Sequence, residues 1–256
     1  MTAPAPAELF DLTGRTAVVT GASSGLGVRF AGVLAAAGAT VFVAARRAAK
    51  LAEIAADDDR LHPVVADVSE ETDRTALIDA AVAGGSGSID VLVNNAGVES
   101  GAKPADETPA GFAGVLNTNL VAPFHLAQLA ARHPGPDGLS IVNISSVLGL
   151  VSAAPLGGAS YASSKAGLVG LTRELAGHWG RSGIRVNALA PGWFRTEMNE
   201  DLFADERSVR WIERNTMLRR PGSPPELDTA LLFLASPAST YVTGQVLAVD
   251  GGWTAR

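Results

Sequence analysis

Short apolar runs alternate along this chain with longer segments in which apolar residues recur at helical spacing. The runs are apolar throughout, as in AVVT, VFVAA and VLVNN. Strands that are apolar on both faces are typical of a parallel sheet buried between two layers of helices. The pattern predicts seven strands, at 16–20, 40–44, 61–66, 91–94, 140–144, 185–188 and 245–249.

Helical patterns separate these strands, at about 25–37, 47–56, 70–83, 108–132, 160–181 and 224–235. Strands that alternate with helices imply crossover connections, so we expect an α/β fold: a doubly wound, Rossmann-like parallel sheet in a single domain over 1–256. Residues 193–223 break the alternation, because tryptophan, phenylalanine and methionine are mixed there with charged residues. We expect this segment to be a substrate lid at the carboxyl edge of the sheet.

Composition narrows the possible functions. A formal net charge of −6 and the lack of a long basic run argue against nucleic-acid binding. No apolar run reaches the roughly 18 residues of a membrane span, and the first residues lack the pattern of a signal peptide. The chain has no cysteine, and its four histidines are scattered without metal-ligand spacing. We therefore expect a cytoplasmic protein without a metal site.

A glycine-rich segment, VVTGASSGLGVRF, directly follows the first strand and begins the first long helix. Its glycines are Gly21, Gly25 and Gly27. Such a loop lets backbone N–H groups approach a pyrophosphate at the helix N-terminus, where the helix dipole favours an anion. The segment alone is also compatible with a tight strand-to-helix turn. Its place in the first βα unit favours a dinucleotide site.

The spacing TGxxxGxG resembles the compact branch of the short-chain dehydrogenase/reductase family. The resemblance continues in family order through ADV at 66–68, NNAG at 94–97, NTNLVAPF at 117–124, NISS at 143–146, YASSK at 161–165, RVNALAPGWFRTEM at 185–198 and VTGQVLAVDGG at 242–252. Together these motifs cover nearly the whole chain. The resemblance implies an NAD(P)-dependent enzyme that interconverts a small-molecule carbonyl and a secondary alcohol. A 3-oxoacyl-thioester reductase and a reductase of small ketones or sugar acids are both open, and an NAD-dependent sugar-acid or alcohol dehydrogenase of the same family is the alternative.

The resemblance also implies a set of cofactor-binding positions. Asp67 would accept a hydrogen bond from the adenine amine, or would merely cap the helix at 70–83. Asn94 and Gly97 would line the cofactor cleft beyond the fourth strand. The whole implied set is Gly21, Ser23, Ser24, Gly25, Leu26, Gly27, Asp67, Val68, Asn94, Ala96, Gly97, Tyr161, Lys165, Pro191, Gly192 and Thr196.

The end of the second strand bears on the choice between NADP and NAD. A carboxylate that would accept from a free ribose 2′-hydroxyl is missing there, and Ala45 is followed by Arg46 and Arg47. A guanidinium is well shaped for a 2′-phosphate. We therefore predict NADP(H), with NAD as the alternative. The arginines could instead be a solvated helix start, and Ser24 stands where some NADP users of the family have a second basic residue.

Tyr161 and Lys165 stand four positions apart in a helical pattern, so their side chains share one helix face. The pKa of a free phenol is ~10, and lowering it to ~7 takes ~4 kcal/mol. One positive charge ~4 Å away supplies an interaction energy of that size. By resemblance, Tyr161 is the general acid/base, and Lys165 tunes it and binds the nicotinamide ribose. Ser146 would donate to the substrate oxygen, and Asn119 would hold a water that links Lys165 to solvent.

One spacing departs from the family. Tyr161 lies 15 positions after Ser146, where the family usually has about thirteen, so we place the additional length in the segment SAAPLGGAS. We keep Ser146 as the catalytic serine because NISS fits a strand end, with Ser145 as the fallback and Ser152 third.

Three further readings of the sequence remain open. A cofactor-sensing module without turnover would be expected to lack part of the catalytic set. A sugar-nucleotide epimerase would need a larger carboxyl-terminal region than this chain provides. The helices at 108–132 and 160–181 are apolar on several faces, which predicts a homotetramer, or else two helices buried within a monomer.

Overall fold

All seven predicted strands form, and they lie in one parallel sheet. The computed structural model describes residues 5–154 and 156–255. The strands are β1 (Thr16–Thr20), β2 (Thr40–Ala45), β3 (Leu61–Val65), β4 (Val91–Asn94), β5 (Leu139–Ile144), β6 (Ile184–Pro191) and β7 (Val246–Val249). Their order across the sheet is β3-β2-β1-β4-β5-β6-β7. The predicted doubly wound, Rossmann-like class is confirmed.

Ten α-helices occur in the described residues. They are α1 (Pro6–Leu9), α2 (Gly25–Ala36), α3 (Ala48–Ala55), α4 (Glu71–Gly84), α5 (Pro109–Leu116), α6 (Ala122–Ala130), α7 (Ala159–Trp179), α8 (Glu200–Ala204), α9 (Glu206–Asn215) and α10 (Asp228–Ala235).

The helix predicted at 108–132 is interrupted. Between α5 and α6 the chain forms a π-helical turn, Asn117–Val121, in which the Ala122 N–H donates to the Asn117 carbonyl. Pro123 stands near the start of α6 and has no N–H for the carbonyl of Asn119, four residues earlier. A wider turn is a common solution at such a position.

The sheet separates two apolar layers. Val18 and Val19 are neighbours on β1 and are fully buried on opposite faces. On one face Val19 belongs to a cluster with Phe30 of α2 and Leu231 of α10. On the other, Val18 belongs to a cluster with residues of α4, α6 and α7. The apolar strands noted in the sequence are thus covered on both sides.

Strand order creates a crevice at the carboxyl edge of the sheet. From β1 the chain runs outward through β2 to β3, and then returns to place β4 on the other side of β1. The loops after β1 and β4 therefore leave in opposite directions, and a ligand crevice forms between them.

The segment 193–223, the predicted lid, follows β6 and contains α8 and α9. Trp211 of α9 packs against Trp193, with ring centroids 6.2 Å apart, and against Trp253 near the carboxyl terminus, at 5.0 Å. Trp193 and Trp253 also meet edge to face at 5.4 Å. Trp193 and Trp211 belong to the segment itself, so Trp253 is the indole of this group that attaches it to the rest of the fold.

Within the residues that the structure describes, no helix combines the length and apolarity needed to cross a bilayer.

Candidate active site

A cavity of about 430 Å³ occupies the crevice at the carboxyl edge of the sheet. It brings together nearly all the predicted site residues, although they come from seven separate parts of the chain. The predicted residues in its lining are Gly21, Ser23, Ser24, Gly25, Leu26, Gly27, Arg46, Arg47, Asp67, Val68, Ala96, Gly97, Ser146, Tyr161, Lys165, Pro191, Gly192 and Thr196.

The glycine loop fits the close approach of an anion. Gly21 has a φ of +66°, and a Cβ there would lie 2.7 Å from the Cα of Ala96. A Cβ on Gly27 would lie 2.2 Å from the Gly21 carbonyl oxygen. Ser24, at the N-cap of α2, makes no side-chain capping hydrogen bond. The first N–H groups of α2 are therefore available to a phosphate.

Asp67 and Arg46 both line the cavity and lie close to each other, beyond the ends of β3 and β2. Oδ1 of Asp67 accepts from the Ser69 N–H at 2.9 Å and from the Ser69 hydroxyl at 2.8 Å. The Ser69 backbone hydrogen bond is the main cause of a lowered pKa at Asp67, so the group is a carboxylate acceptor at neutral pH. Arg46 is 70% exposed and lies 3.8 Å from Asp67 Oδ2. Its guanidinium remains largely accessible to a ligand.

Arg47 behaves differently from Arg46. Its Nε donates to Ser23 Oγ at 3.1 Å, while Nη1 and Nη2 donate to the two carboxylate oxygens of Glu197 at 2.9 and 3.0 Å. The hydrogen bond from Arg47 is the main reason that the pKa of Glu197 falls to about 2. Sequence reasoning treated the two arginines alike, whereas the structure pairs Arg47 with the predicted lid.

Asn94 does not line the cavity as predicted. Its side chain is buried between strands, where Nδ2 donates to Asn143 Oδ1 at 2.9 Å. The next residue, Asn95, lines the cavity, and its Nδ2 donates to the Thr20 carbonyl at 2.8 Å. The cause is the alternation of side chains at the end of β4, where one asparagine points inward and its neighbour points toward the crevice.

Three polar side chains converge at the other end of the cavity. Ser146 follows β5, and its hydroxyl lies close enough to Tyr161, in the first turn of α7, to lower the pKa of that phenol. Lys165, one turn later, is fully buried, with Nζ 5.5 Å from the centroid of the Tyr161 ring. The Lys165 ammonium donates to the carbonyl of Ile144, the last residue of β5, at 2.8 Å. The helix and the strand end thus fix the three groups relative to one another.

The pKa of the Tyr161 phenol is raised, whereas the sequence analysis expected Lys165 to lower it. Burial raises the pKa of Tyr161 to about 12, and the negative charge of Glu99 adds to this rise, while the hydrogen bond with Ser146 opposes it. Burial also lowers the pKa of Lys165 to about 8. Burial is the largest influence on both pKa values, because both groups lie in the low-dielectric interior. At neutral pH the phenol is therefore protonated.

Asn119 is placed by the π-helical turn and is fully buried. Its Oδ1 accepts from the Val98 N–H at 2.8 Å, and its Nδ2 donates to the Val98 carbonyl and to Ser164 Oγ at 2.9 and 3.0 Å. The side chain therefore ties the loop after β4 to α7. Both polar atoms of the side chain are therefore engaged within the protein.

The two reserve serines differ from Ser146 in position. Ser145 Oγ donates to the Lys165 carbonyl at 3.0 Å, and Ser152 is exposed, with its hydroxyl accepting from the Ala154 N–H. Neither of these serines is hydrogen-bonded to Tyr161, so the geometry of the site favours Ser146 as the catalytic serine.

Sequence reasoning missed two carboxylates. Glu197 follows Thr196 directly, but its partner Arg47 lies 150 positions away, and no local signal connects them. Glu99 follows the NNAG motif by two positions and accepts from the N–H of Gly158. A Cβ on Gly158 would lie 3.5 Å from its Oε1. The loop before Tyr161, already noted as long, therefore brings a negative charge near the phenol.

No group of three or more histidine, aspartate and glutamate side chains within residues 5–154 and 156–255 is arranged to hold a metal ion.

Comparison with known proteins gives consistent matches over nearly the whole chain. The family model described as enoyl-(acyl carrier protein) reductase matches residues 21–254. Gluconate 5-dehydrogenase of Gluconobacter oxydans is 42% identical over 252 residues, which cover 96% of this chain and 97% of that protein. Galactitol 2-dehydrogenase (L-tagatose-forming) of Cereibacter sphaeroides is 38% identical over 250 residues, covering 96% and 97%.

Solved structures agree with the sequence matches. The crystal structure of a gluconate 5-dehydrogenase from Burkholderia cenocepacia, in complex with NADP and tartrate, superposes with a TM-score of 0.91 at 37% identity. The match covers 98% of this chain and 100% of that one. With the glycine loop, the tyrosine–lysine pair and the seven-stranded sheet in place, these matches show that the chain belongs to the short-chain dehydrogenase/reductase family.

Proposed function

We propose that this protein interconverts a carbonyl and a secondary alcohol by hydride transfer with NADP(H), and that Tyr161 is its general acid/base. One observation carries the proposal. The Ser146 hydroxyl, the Tyr161 phenol and the Lys165 ammonium converge at one end of a cavity whose other end is the glycine loop. A dinucleotide that lies along this cavity extends from the loop to the three polar groups.

In this proposal NADP(H) supplies the hydride, and the protein's own residues handle the proton and the substrate oxygen. Ser146 donates to the carbonyl oxygen and orients it, and Tyr161 gives its proton to the same oxygen as the alcohol forms. With a pKa of about 12, Tyr161 holds that proton throughout the neutral range. We therefore infer that reduction is favoured near neutral pH, whereas oxidation, which needs the phenolate, is favoured at alkaline pH.

Lys165 has two tasks in this scheme. Its positive charge favours the phenolate that remains after proton transfer, and its remaining N–H groups are available to the ribose next to the nicotinamide. Asn119 is a positioning residue, because its side chain holds the segment around Val98 against α7. Its main-chain carbonyl is our candidate for the water that returns a proton to Lys165.

The adenosine end supports NADP(H). Arg46 offers an accessible guanidinium beside Asp67, which we assign to the adenine amine. Gly21, Gly25 and Gly27 are assigned to the pyrophosphate, and Pro191, Gly192 and Thr196 to the nicotinamide end. NAD remains the alternative cofactor.

Charge at the substrate end favours a neutral, hydroxyl-rich substrate over a sugar acid. The positively charged residues in the described lining are Arg46 and Arg47, at the adenosine end, and Lys165, which is buried. Glu99 places a negative charge near Tyr161, where a substrate carboxylate would be repelled. Among the relatives, galactitol 2-dehydrogenase is named for a neutral polyol, and gluconate 5-dehydrogenase for an acid.

The test is a spectrophotometric screen for NADPH consumption with ketones, 3-oxoacyl thioesters, keto-sugars and keto-acids, and for NADP⁺ reduction with galactitol and gluconate. We expect turnover with at least one neutral hydroxylated compound and a lower kcat/KM for its carboxylate counterpart. Failure of every compound, while NADPH still binds, would contradict the proposed reaction and support a cofactor-sensing module.

We also propose a homotetramer in the cytoplasm, with residues 193–223 as the lid. Val121 and Phe124, near the start of α6, are 47% and 41% exposed, and such apolar side chains favour a partner surface. Light scattering that gave a monomer mass would contradict the assembly, and fractionation of cells tests the location.

A further inference from the structure

A carboxylate of the predicted lid already occupies an anion position beside the glycine loop. Oε1 and Oε2 of Glu197 accept from Nη1 and Nη2 of Arg47 at 2.9 and 3.0 Å. The Ser24 hydroxyl lies close enough to this carboxylate to help lower its pKa. Arg47 is itself fixed to the loop, because its Nε donates to Ser23 Oγ at 3.1 Å and its Nη2 to the Ser23 carbonyl at 3.3 Å.

These groups belong to the cofactor cavity. Ser23, Ser24, Arg47 and Glu197 all line it, at the end that also contains Arg46 and Asp67. A guanidinium fork and a serine hydroxyl at the start of a helix form the donor set that a phosphate prefers. Here the anion on that donor set is the side chain of Glu197.

The pairing engages most of the hydrogen-bonding capacity of Arg47. A guanidinium has five N–H donors, and hydrogen bonds to Ser23 and Glu197 engage four of them. A phosphate that binds Arg47 through two N–H groups must therefore displace the carboxylate, and a phosphate that binds the fifth N–H alone meets a like charge nearby. A free 2′-hydroxyl carries no charge and can itself donate to a carboxylate.

We propose that Glu197 determines the cofactor selectivity of this enzyme. By holding Arg47, its carboxylate acts against the binding of a 2′-phosphate, so that Arg46 alone supports NADP. The preference for NADP over NAD is therefore smaller than two free arginines would give. The inference rests on the proposed assignment of this cavity to NADP(H). Glu197 is a positioning residue in this scheme, because it acts through Arg47.

A merely structural role makes different predictions. Glu197 is 61% exposed and Arg47 is 45% exposed, and ion pairs between such exposed groups contribute little to folding. We therefore expect Glu197→Gln to leave the midpoint of urea unfolding unchanged. Its effect should appear in the dissociation constants of the two cofactors.

The experiment is isothermal titration calorimetry of the full chain with NADP⁺ and with NAD⁺, at one fixed ionic strength. Removing one competing charge that is exposed should tighten NADP⁺ binding by about three- to tenfold in Glu197→Gln, with NAD⁺ unchanged or weaker. The matched control is Glu200→Gln. Glu200 forms an equivalent ion pair with Arg195 three residues further on but has no contact with the glycine loop among its hydrogen bonds.

A double variant tests whether Glu197 acts through Arg47. In an Arg47→Ala background, Glu197→Gln should no longer tighten NADP⁺ binding, because the group through which it acts is gone. The proposal would be overturned if Glu197→Gln weakened the binding of both cofactors equally, which is expected if Glu197 merely retains the bound dinucleotide. It would also be overturned if the substitution changed the dissociation constant of neither cofactor. If the wild-type protein bound neither dinucleotide, the assignment of the cavity and the proposed function would fail instead.

Discussion

Replacing Lys165 with methionine should stabilise the folded protein at neutral pH. Burial lowers the pKa of Lys165 from 10.5 to about 8, which means that keeping its charge in the fold costs about 3 kcal/mol. The substitution also removes the hydrogen bond to the Ile144 carbonyl, a loss of about 1 kcal/mol. The expected gain is about 2 kcal/mol, or a rise in Tm of about 4–8 °C for a chain of this size.

The gain should depend on pH in a definite direction. Below about pH 8 the lysine is charged in both the folded and the unfolded state, so the folded wild type bears the full cost. Between about 8 and 10.5 the folded lysine is neutral while the unfolded one still binds a proton, and wild-type stability relative to the variant rises with pH. The advantage of Lys165→Met should therefore shrink over this range.

The assay is urea unfolding of both proteins at equal concentration, at several pH values between 7 and 10. Lys103→Met, which removes an exposed lysine, is the matched control and should show no comparable trend. A wild type more stable than Lys165→Met at pH 7, or a difference that stayed constant up to pH 10, would refute the reasoning that burial depresses the charge of Lys165.

Three further changes test the active site. Tyr161→Phe should lower kcat for carbonyl reduction by about 10²–10⁴-fold while leaving the Kd for NADPH, measured by fluorescence, nearly unchanged; full activity would exclude Tyr161 as the acid. Glu99→Gln should lower the pKa of Tyr161, because the Glu99 charge raises it. Absorbance titration of tyrosinate in a Tyr241→Phe background isolates this signal, since the chain has only 2 tyrosines, and an unmoved midpoint would argue against the coupling. Gly27→Ala should abolish measurable dinucleotide binding in calorimetry, because its Cβ would meet the Gly21 carbonyl at 2.2 Å; normal binding would contradict the role of this loop.

The sheet could be predicted from the sequence because each strand is a local run of apolar residues. β1 and β4 begin and end at the predicted residues, since each is a β-branched or apolar run bounded by polar or glycine positions. β6 extends to Pro191, beyond the predicted end at 188, because the apolar run ALAP continues and pairs with β7. The π-helical turn was missed, although Pro123 was its signal.

The site could be predicted only in part. The glycine loop and the tyrosine–lysine pair are local patterns, so their positions followed directly from residue spacing. Arg47 and Glu197 meet across 150 positions, and their contact depends on how the segment after β6 folds back. The pKa of Tyr161 also could not be predicted, because it is set by the depth of burial and by Glu99, and neither is visible in a helical spacing.

The contact of three indoles at the predicted lid has a mechanical consequence. Trp193 and Trp211 both belong to the segment 193–223, and Trp253 belongs to the turn at Trp253–Ala255. Each ring contact contributes about 0.5–1.5 kcal/mol beyond its area, so α9 cannot shift freely without loosening the carboxyl-terminal turn as well. Force applied near Trp253, for instance by a fusion partner, would be transmitted through Trp211 to α9.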